Sequence, residues 1–435
     1  MAGSTLQELF NRKLDSLIGL NQHKRLAIAV SGGSDSVALA LLARNWATEN
    51  KVALTILTVD HGLRPAAKQE AITVGDWMKS FNLPHKTLVW TGPHPTSGIQ
   101  NAAREARYLL MAAYCKTENI QVLLLGHQLE DQLETLLMRF SKGSGLEGLA
   151  SMKEDSQQFD IRLVRPLLGV KRQELRDYLT EVKQPWLEDP SNENRQYTRT
   201  RVGSILSDLQ ALPGSSLTTI ALSAERVTRA SEALHEITIQ RFSKFCRLSP
   251  YGFIQFPIEA ILGCPHEVGL RMLSRAISAV RGEPAPTKLL SLENIYRRLF
   301  ETELSTSETV GGVQISKSAT GCLVCREPGR IGMPEVLLAG KTETVWDHRF
   351  HVIDTAGEKD RDPLLTIKRI GPTGWQHLQA ANPSKEEARL PAKVRNNLPA
   401  VWLGDRLVAA PLFSPVLDQS AIAKDRFKMV FKSLI

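Results

Sequence analysis

The residues best equipped for chemistry come early in the chain. Ser31-Gly32-Gly33-Ser34-Asp35-Ser36 follows a short apolar run, Leu26 to Val30, and precedes a longer one, Val37 to Ala43. Paired glycines let the backbone approach a ligand closely, because no Cβ stands in the way. The hydroxyls of Ser31, Ser34 and Ser36 can cap a helix or hydrogen-bond an anion, and successive amides at a helix N-terminus make a cradle for phosphate. A Walker A loop would carry a lysine followed by Ser/Thr. This stretch has no lysine and holds an acid, Asp35. An acid beside phosphates repels them unless a divalent cation bridges the two, so Asp35 argues for Mg²⁺. A plain glycine-rich turn between strand and helix has the same composition and stays open as an alternative.

A second set of acids lies at Glu130, Asp131 and Glu134. On a helix, 130 and 134 are i, i+4 neighbours and 131 and 134 are i, i+3. Such like charges cost roughly 0.2–0.5 kcal/mol per pair unless something positive lies between them. Acids are also favoured at a helix start by the helix dipole, which accounts for them without any ligand. The sharper reading is a site for Mg²⁺ or a cationic substrate. Polar residues also punctuate two apolar runs, at Asp60-His61-Gly62 and at Gly126-His127. Basic side chains recur at Arg104, Arg107, Lys142, Arg195, Arg199 and Arg201. They suit phosphate or RNA contacts, and equally a solvated surface.

These groups need elements to hold them. Apolar runs at 26–30, 52–59, 85–90 and 122–125 read as strands, and longer stretches between them read as helices, including 65–81, 101–119 and 129–140. Leu6, Phe10, Leu14 and Ile18 have helical spacing, with Thr5 and Glu8 able to form a capping box. Strands alternating with helices predict a doubly wound, mainly parallel α/β sheet, in which ligands bind where strands end. The stretch 1–213 is taken as this domain, ending at Pro213-Gly214-Ser215-Ser216. A helical domain is expected over 214–309, with helices over 217–246, 267–280 and 288–304. A small β-containing domain is expected over 310–435, where Gly-Gly, Pro and short alternating runs such as 344–353 appear.

Composition narrows the class. With 435 residues, 42% hydrophobic and 23% charged, the chain has room for two or three folded domains. Val37 to Ala43 is far too short to span a bilayer, and 1–15 lacks the layout of a signal peptide. Five scattered cysteines form no disulfide framework, so a cytoplasmic location is expected. The net charge of +8 favours a polyanionic partner. Cys322 and Cys325 form a CxxC pair without a second pair to complete a zinc site, so a β-turn is expected there.

Taken in order, these motifs resemble the bacterial tRNA(Ile)-lysidine synthases, a family of PP-loop ATP pyrophosphatases. Ser31 to Ser36 resembles the PP-loop and Val59 to Arg64 a second signature. Asn101 to Tyr108 is similar to an Ala-Arg-x-x-Arg-Tyr helix, and Gly126 to Thr135 to a His-x-x-Asp-Asp-Gln-x-Glu-Thr stretch. Lys142 to Gly145, Arg165 to Leu168 and Trp186 to Asn192 match further blocks. Glu130 stands where the family usually has an aspartate. The family's Arg-Asn-x-x-Arg reads here as Arg199-Thr200-Arg201-Val202-Gly203.

The resemblance implies ligation of L-lysine to the wobble cytidine of the CAU-anticodon isoleucine tRNA, through an adenylated cytidine, with release of pyrophosphate and AMP. It implies ATP at Ser31, Gly32, Gly33, Ser34, Asp35, Ser36, Asp60, His61 and Gly126, and Mg²⁺ on Asp35 and Asp131. Asp35, Asp131 and Glu134 would be catalytic, and Arg107, Lys142, Arg199 and Arg201 would hold the tRNA. A sulfur-transferring PP-loop enzyme would instead favour a reactive cysteine near the loop, where Cys115 is the sole cysteine of residues 1–213. A non-catalytic nucleotide-dependent RNA-binding module would need neither Asp35 nor the acids at 131 and 134.

Overall fold

The computed structural model describes residues 2–19, 23–63, 65–92, 98–150, 152–188, 198–283, 287–302, 304–318, 321–329, 332–357, 364–413 and 426–432. It forms two compact units, Met1–Ser231 and Glu232–Ile435.

In the first unit the alternation of apolar runs becomes α1 (Ala2–Ile18), β1 (Arg25–Ala29), α2 (Ser34–Asn50), β2 (Ala53–Asp60), α3 (Pro65–Ser80), β3 (His85–Val89), α4 (Ile99–Thr117) and β4 (Val122–Leu125). There follow α5 (Leu129–Phe140), α6 (Leu146–Leu149), β5 (Asp155–Gln158), β6 (Ile161–Val164), α7 (Arg172–Glu181) and α8 (Thr198–Gln210). The strands lie in the order β3-β2-β1-β4-β6-β5. All neighbours are parallel except β5, which runs antiparallel to β6 at the edge. The expected doubly wound sheet therefore forms. The chain winds outward from β1 to β3 and then re-enters beside β1 at β4. Strand order reverses between β1 and β4, and their carboxyl ends form the crevice where open α/β sheets bind ligands.

The sequence of β1 explains its place at the centre. Leu26 and Ile28 enter the core on one face and Ala27 the core on the other, so both faces are covered and the strand reads as continuously apolar. Helix α2 is apolar around its first turns, and Val37 to Ala43 are all buried. Helix α1 begins at Ala2, so Thr5 lies inside it and the expected capping box at Thr5 and Glu8 does not mark its start.

In the second unit, β7 (Arg247–Leu248), β8 (Ile254–Pro257), β9 (Ser307–Val310), β10 (Val313–Lys317) and β11 (Gly321–Arg326) form an antiparallel sheet in the order β7-β8-β11-β10-β9. Its core joins Phe256, Val313, Ile315 and Val324 to Leu273 and Ile277 of the helix His266–Arg281. Strands β7 and β8 thus interrupt the stretch read as helical, and residue 310 belongs to β9. Two smaller sheets follow, one of four strands and one of three. The stretch 344–353 lies in a hairpin of Glu343–Trp346 and Phe350–Asp354. Its turn residues Asp347 and His348 both have positive φ, 49° and 56°.

Cys322 and Cys325 sit on β11 and not in a turn. Three positions apart on a strand, they face opposite sides, Cys322 in one core and Cys325 in another. One metal ion could not reach both.

Candidate active site

The loop between β1 and α2 is built from local hydrogen bonds. Ser36 Oγ donates to the Gly33 carbonyl at 3.0 Å and accepts the Ser31 amide at 3.2 Å, closing the turn on itself. Gly32 has φ +96°, a conformation side chains rarely adopt, and a Cβ there would lie 2.6 Å from Leu187 Cδ1. The Leu187 amide donates to the Gly32 carbonyl at 2.9 Å. The first part of the 186–192 stretch therefore braces the loop, a role its sequence did not signal; residues 189–192 lie outside the described residues. Gly33 is the N-cap of α2, and its side offers no atom nearer than 3.9 Å to an added Cβ. Among the described residues, the amides of Gly33, Ser34 and Asp35 donate to nothing. An open, glycine-lined helix N-terminus with three undirected donors fits a phosphate chain.

Asp35, Asp131 and Glu134 come together beside this loop, although they lie on two helices far apart in the chain. Arg172, the first residue of α7, reaches all three: its Nε is 3.7 Å from Asp35 Oδ2, and its Nη2 is 3.7 Å from Asp131 Oδ1 and 3.8 Å from Glu134 Oε1. Here is the positive group that the clustered acids require. Arg172 was not singled out in the sequence. Its signal was its place, just past the Arg165 to Leu168 block and after β6, the strand next to β4.

Glu130 does something different from its neighbours. Its carboxylate oxygens accept the Arg172 backbone amide at 3.0 and 3.2 Å, so it anchors the start of α7. Gln128, fully buried, caps α5: its Oε1 accepts the backbone amides of Glu130 and Asp131, while its own backbone N–H donates to Asp131 Oδ2 at 3.2 Å. Asp131 thus serves both readings of the acids, with one oxygen in the cap and the other toward Arg172. Asp35 feels the crowding. Burial pushes its pKa up from 3.8 to about 6; Arg172 and the Ser34 hydroxyl pull it down, while Asp131 and Glu130 push it further up.

Asp60 and His61 shape the turn after β2, where Asp60 Oδ1 accepts the Gly62 amide at 2.9 Å and His61 Nδ1 the Leu63 amide at 3.1 Å. Arg64 lies outside the described residues. Gly126, at the end of β4, packs directly on the start of α2.

The described residues expected to hold tRNA are spread over α4, the turn after α5, and α8. Arg107 and Arg104 both lie over the ring of Tyr108 on α4, at 5.5 and 5.3 Å. Lys142 is exposed and follows the far end of α5, roughly 14 Å of helix from Asp131. Arg201 is exposed on α8. The side chain of Arg199 lies outside the described residues, as does Arg195. Arg165 is buried and donates to the Lys153 carbonyl and Ser156 Oγ, a structural role in joining β5 to the sheet. Cys115 is buried, and burial pushes its thiol up to about 12. It offers no thiolate for sulfur transfer.

The donor set bears on the metal. No group of three or more His, Cys, Asp or Glu side chains is arranged to hold a metal ion among the described residues. Two carboxylates at the mouth of a phosphate cradle are what Mg²⁺ uses, since it takes one or two carboxylates and completes its shell with phosphate oxygens and water. Asp35 and Asp131 fit that pattern.

The PP-loop domain family matches residues 6–209. Over longer spans, the chain is 35% identical to the tRNA(Ile)-lysidine synthase of Wolbachia pipientis wMel, covering 79% of this chain and 80% of that one. It is 32% identical to the same-named protein of Ruegeria pomeroyi, covering 93% and 92%. The Bradyrhizobium diazoefficiens protein of that name is 37% identical over 70% of this chain and 88% of its own. With a phosphate cradle at the switch point, an acid cluster beside it and relatives aligned along most of its length, the chain belongs to the tRNA(Ile)-lysidine synthase family.

Proposed function

We propose that the chain ligates L-lysine to the wobble cytidine of the CAU-anticodon isoleucine tRNA in the cytoplasm, using ATP and converting the codon read from AUG to AUA. The observation that carries this reading is the meeting of the PP-loop with the buried carboxylates of Asp131 and Glu134 in a chain of this family. The loop suits phosphates, and the acids suit a cation such as the lysine ammonium.

In the first step the cytidine 2-carbonyl oxygen bonds to the α-phosphorus of ATP, and the bond to pyrophosphate breaks. The amides of Gly33, Ser34 and Asp35 stabilise the charge that develops on the phosphate oxygens. Asp60, His61 and Gly126, at neighbouring strand ends, line the nucleotide. Asp35 and Asp131 would hold Mg²⁺, which supplies further charge neutralisation. In the second step the lysine ε-nitrogen bonds to the cytidine C2 and AMP leaves. The ammonium must first lose a proton, which a carboxylate of Asp131 or Glu134 accepts while holding the nitrogen in place. Arg107, Lys142, Arg199 and Arg201 contact the tRNA backbone, and the chain beyond residue 213 extends that contact.

The test is AMP and pyrophosphate release with purified isoleucine tRNA, with and without lysine. Lysine-dependent AMP release that Asp35→Ala abolishes is expected. AMP release that ignores lysine, or full lysine incorporation by Asp35→Ala, overturns the reading.

A further inference from the structure

Arg172 holds its acidic partners differently from Arg349, Arg326 and Arg426. Arg349 Nε lies 2.6 Å from Asp347, Arg326 grips the same carboxylate through two bonds of 3.0 Å, and Arg426 grips Asp354 through two of 2.9 Å. Those are hydrogen-bonded structural pairs. Arg172 stands 3.7–3.8 Å from Asp35, Asp131 and Glu134, beyond hydrogen-bond distance from each. Its guanidinium neutralises three carboxylates without being locked to any.

Its main chain is held firmly. Glu130 takes its amide, and α7 packs Leu175, Tyr178 and Leu179 into the core. The side chain is 37% exposed, while those of Asp131 and Glu134 are 9% and 8% exposed. A fixed Cα, an open flank and loose ion pairs describe a group that can leave without unfolding anything.

We infer that Arg172 is a displaceable counter-ion: it holds Asp35, Asp131 and Glu134 together while the site is empty, and a compact cation takes its place. An ammonium or a divalent ion can approach carboxylate oxygens more closely than this guanidinium does, and two cations in one small cluster repel each other. Arg172 therefore competes with the incoming cation and sets how tightly it binds. This rests on the cation-binding reading of the acids given above, and Arg172 acts as a positioning residue.

Calorimetric titration of the full chain with L-lysine and, separately, with MgCl₂ tests it. Arg172→Gln is expected to bind at least one of the two roughly tenfold more tightly than the wild type. Whichever cation gains identifies the natural competitor. Arg172→Lys, which keeps the charge, should stay within about twofold of the wild type, and Asp131→Asn added to Arg172→Gln should remove the gain. Loss of structure alone would weaken binding, so a gain cannot arise from misfolding. Equal or weaker binding of both cations by Arg172→Gln, or the same gain in Arg172→Lys, overturns the inference.

A measurement on the wild type covers the case in which Arg172→Gln does not fold. The Arg172 Nε–H resonance, assigned by its absence from Arg172→Lys, should shift on saturation with the cation; an unmoved resonance overturns displacement. Failure of lysine-dependent AMP release in the wild type would count against the proposed reaction, whereas these titrations report on Arg172 alone.

Discussion

Gly126 at the end of β4 lies against the backbone of Ser36 in the first turn of α2: a Cβ on Gly126 would stand 3.0 Å from Ser36 Cα and 3.1 Å from the Asp35 carbonyl oxygen. The end of β4 is thus in direct main-chain contact with the first turn of α2, and even a methyl group between them would force the backbone to give. This contact sets the distance from the phosphate loop to the helix that carries Asp131 and Glu134.

Gly126→Ala should therefore push β4 and α2 apart. The obstructing atoms are backbone, which cannot rotate away, and overpacking of this kind costs about 1–3 kcal/mol. The expected outcome is a lower midpoint in chemical denaturation together with weaker ATP binding in calorimetry. An unchanged ATP affinity would show that the spacing is not critical.

Asp35 should make the fold pH-dependent in an unusual direction. Its folded pKa, about 6, lies above the ordinary 3.8, so the native state disfavours the charged form. The cost is absent below about pH 4, where the carboxyl is neutral folded or unfolded, grows as pH rises between the two values, and is complete above about pH 6. Asp35→Asn removes it. The variant should be about 1–3 kcal/mol more stable than the wild type at pH 8, with the advantage smaller at pH 5, in denaturation curves of the chain without ligands. A constant difference across that range would mean Asp35 ionises normally.

Glu130 is expected to act on stability through α7. Glu130→Ala leaves the Arg172 amide without its acceptor and should cost about 1–2 kcal/mol, whereas Glu130→Gln keeps an acceptor oxygen and should cost less. Glu130→Asp, one methylene shorter, should fall between them. Denaturation midpoints of the three variants give the ranking; a harmless Glu130→Ala would contradict the anchoring role.

The cysteines should be largely inert in the native protein. Burial pushes the thiols of Cys322 and Cys325 up to about 12 and about 11, and those of Cys115 and Cys246 to about 12. Only Cys264 is partly exposed. A thiol-reactive disulfide reagent at pH 8 should modify one cysteine quickly and the others only as the protein unfolds. Rapid modification of two or more native thiols would rule this out.

Several features of the site were legible in the residues themselves. An apolar run, two glycines and three small hydroxyls could hardly do anything but turn from a buried strand into a helix, and Ser36 closes that turn with its own chain neighbours. The parallel sheet followed from the alternation of run lengths. The edge strand β5 did not, because Asp155-Ser156-Gln157-Gln158 is polar and exposed and carries no apolar pattern. Strands β7 and β8 were hidden for a similar reason, being two and four residues long within a helix-rich stretch. The spacing of Cys322 and Cys325 matched a turn as well as a strand, and only pairing with β10 and β8 decided between them.

Local chemistry, then, was enough to mark the phosphate loop, the acidic helix and the strand ends, because capping, glycine freedom and hydrophobic period act over a few residues. It was also enough to say that the acids needed a positive neighbour. Which neighbour was a matter of tertiary structure. Arg172 meets Asp35, Asp131 and Glu134 only because β4 and β6 pair in parallel on one side of β1, bringing the start of α7 to the mouth of the loop. No pattern within a single helix encodes that meeting. Long-range strand order does, and with it the division of labour between Glu130, which holds Arg172 by its backbone, and the three carboxylates that share its charge.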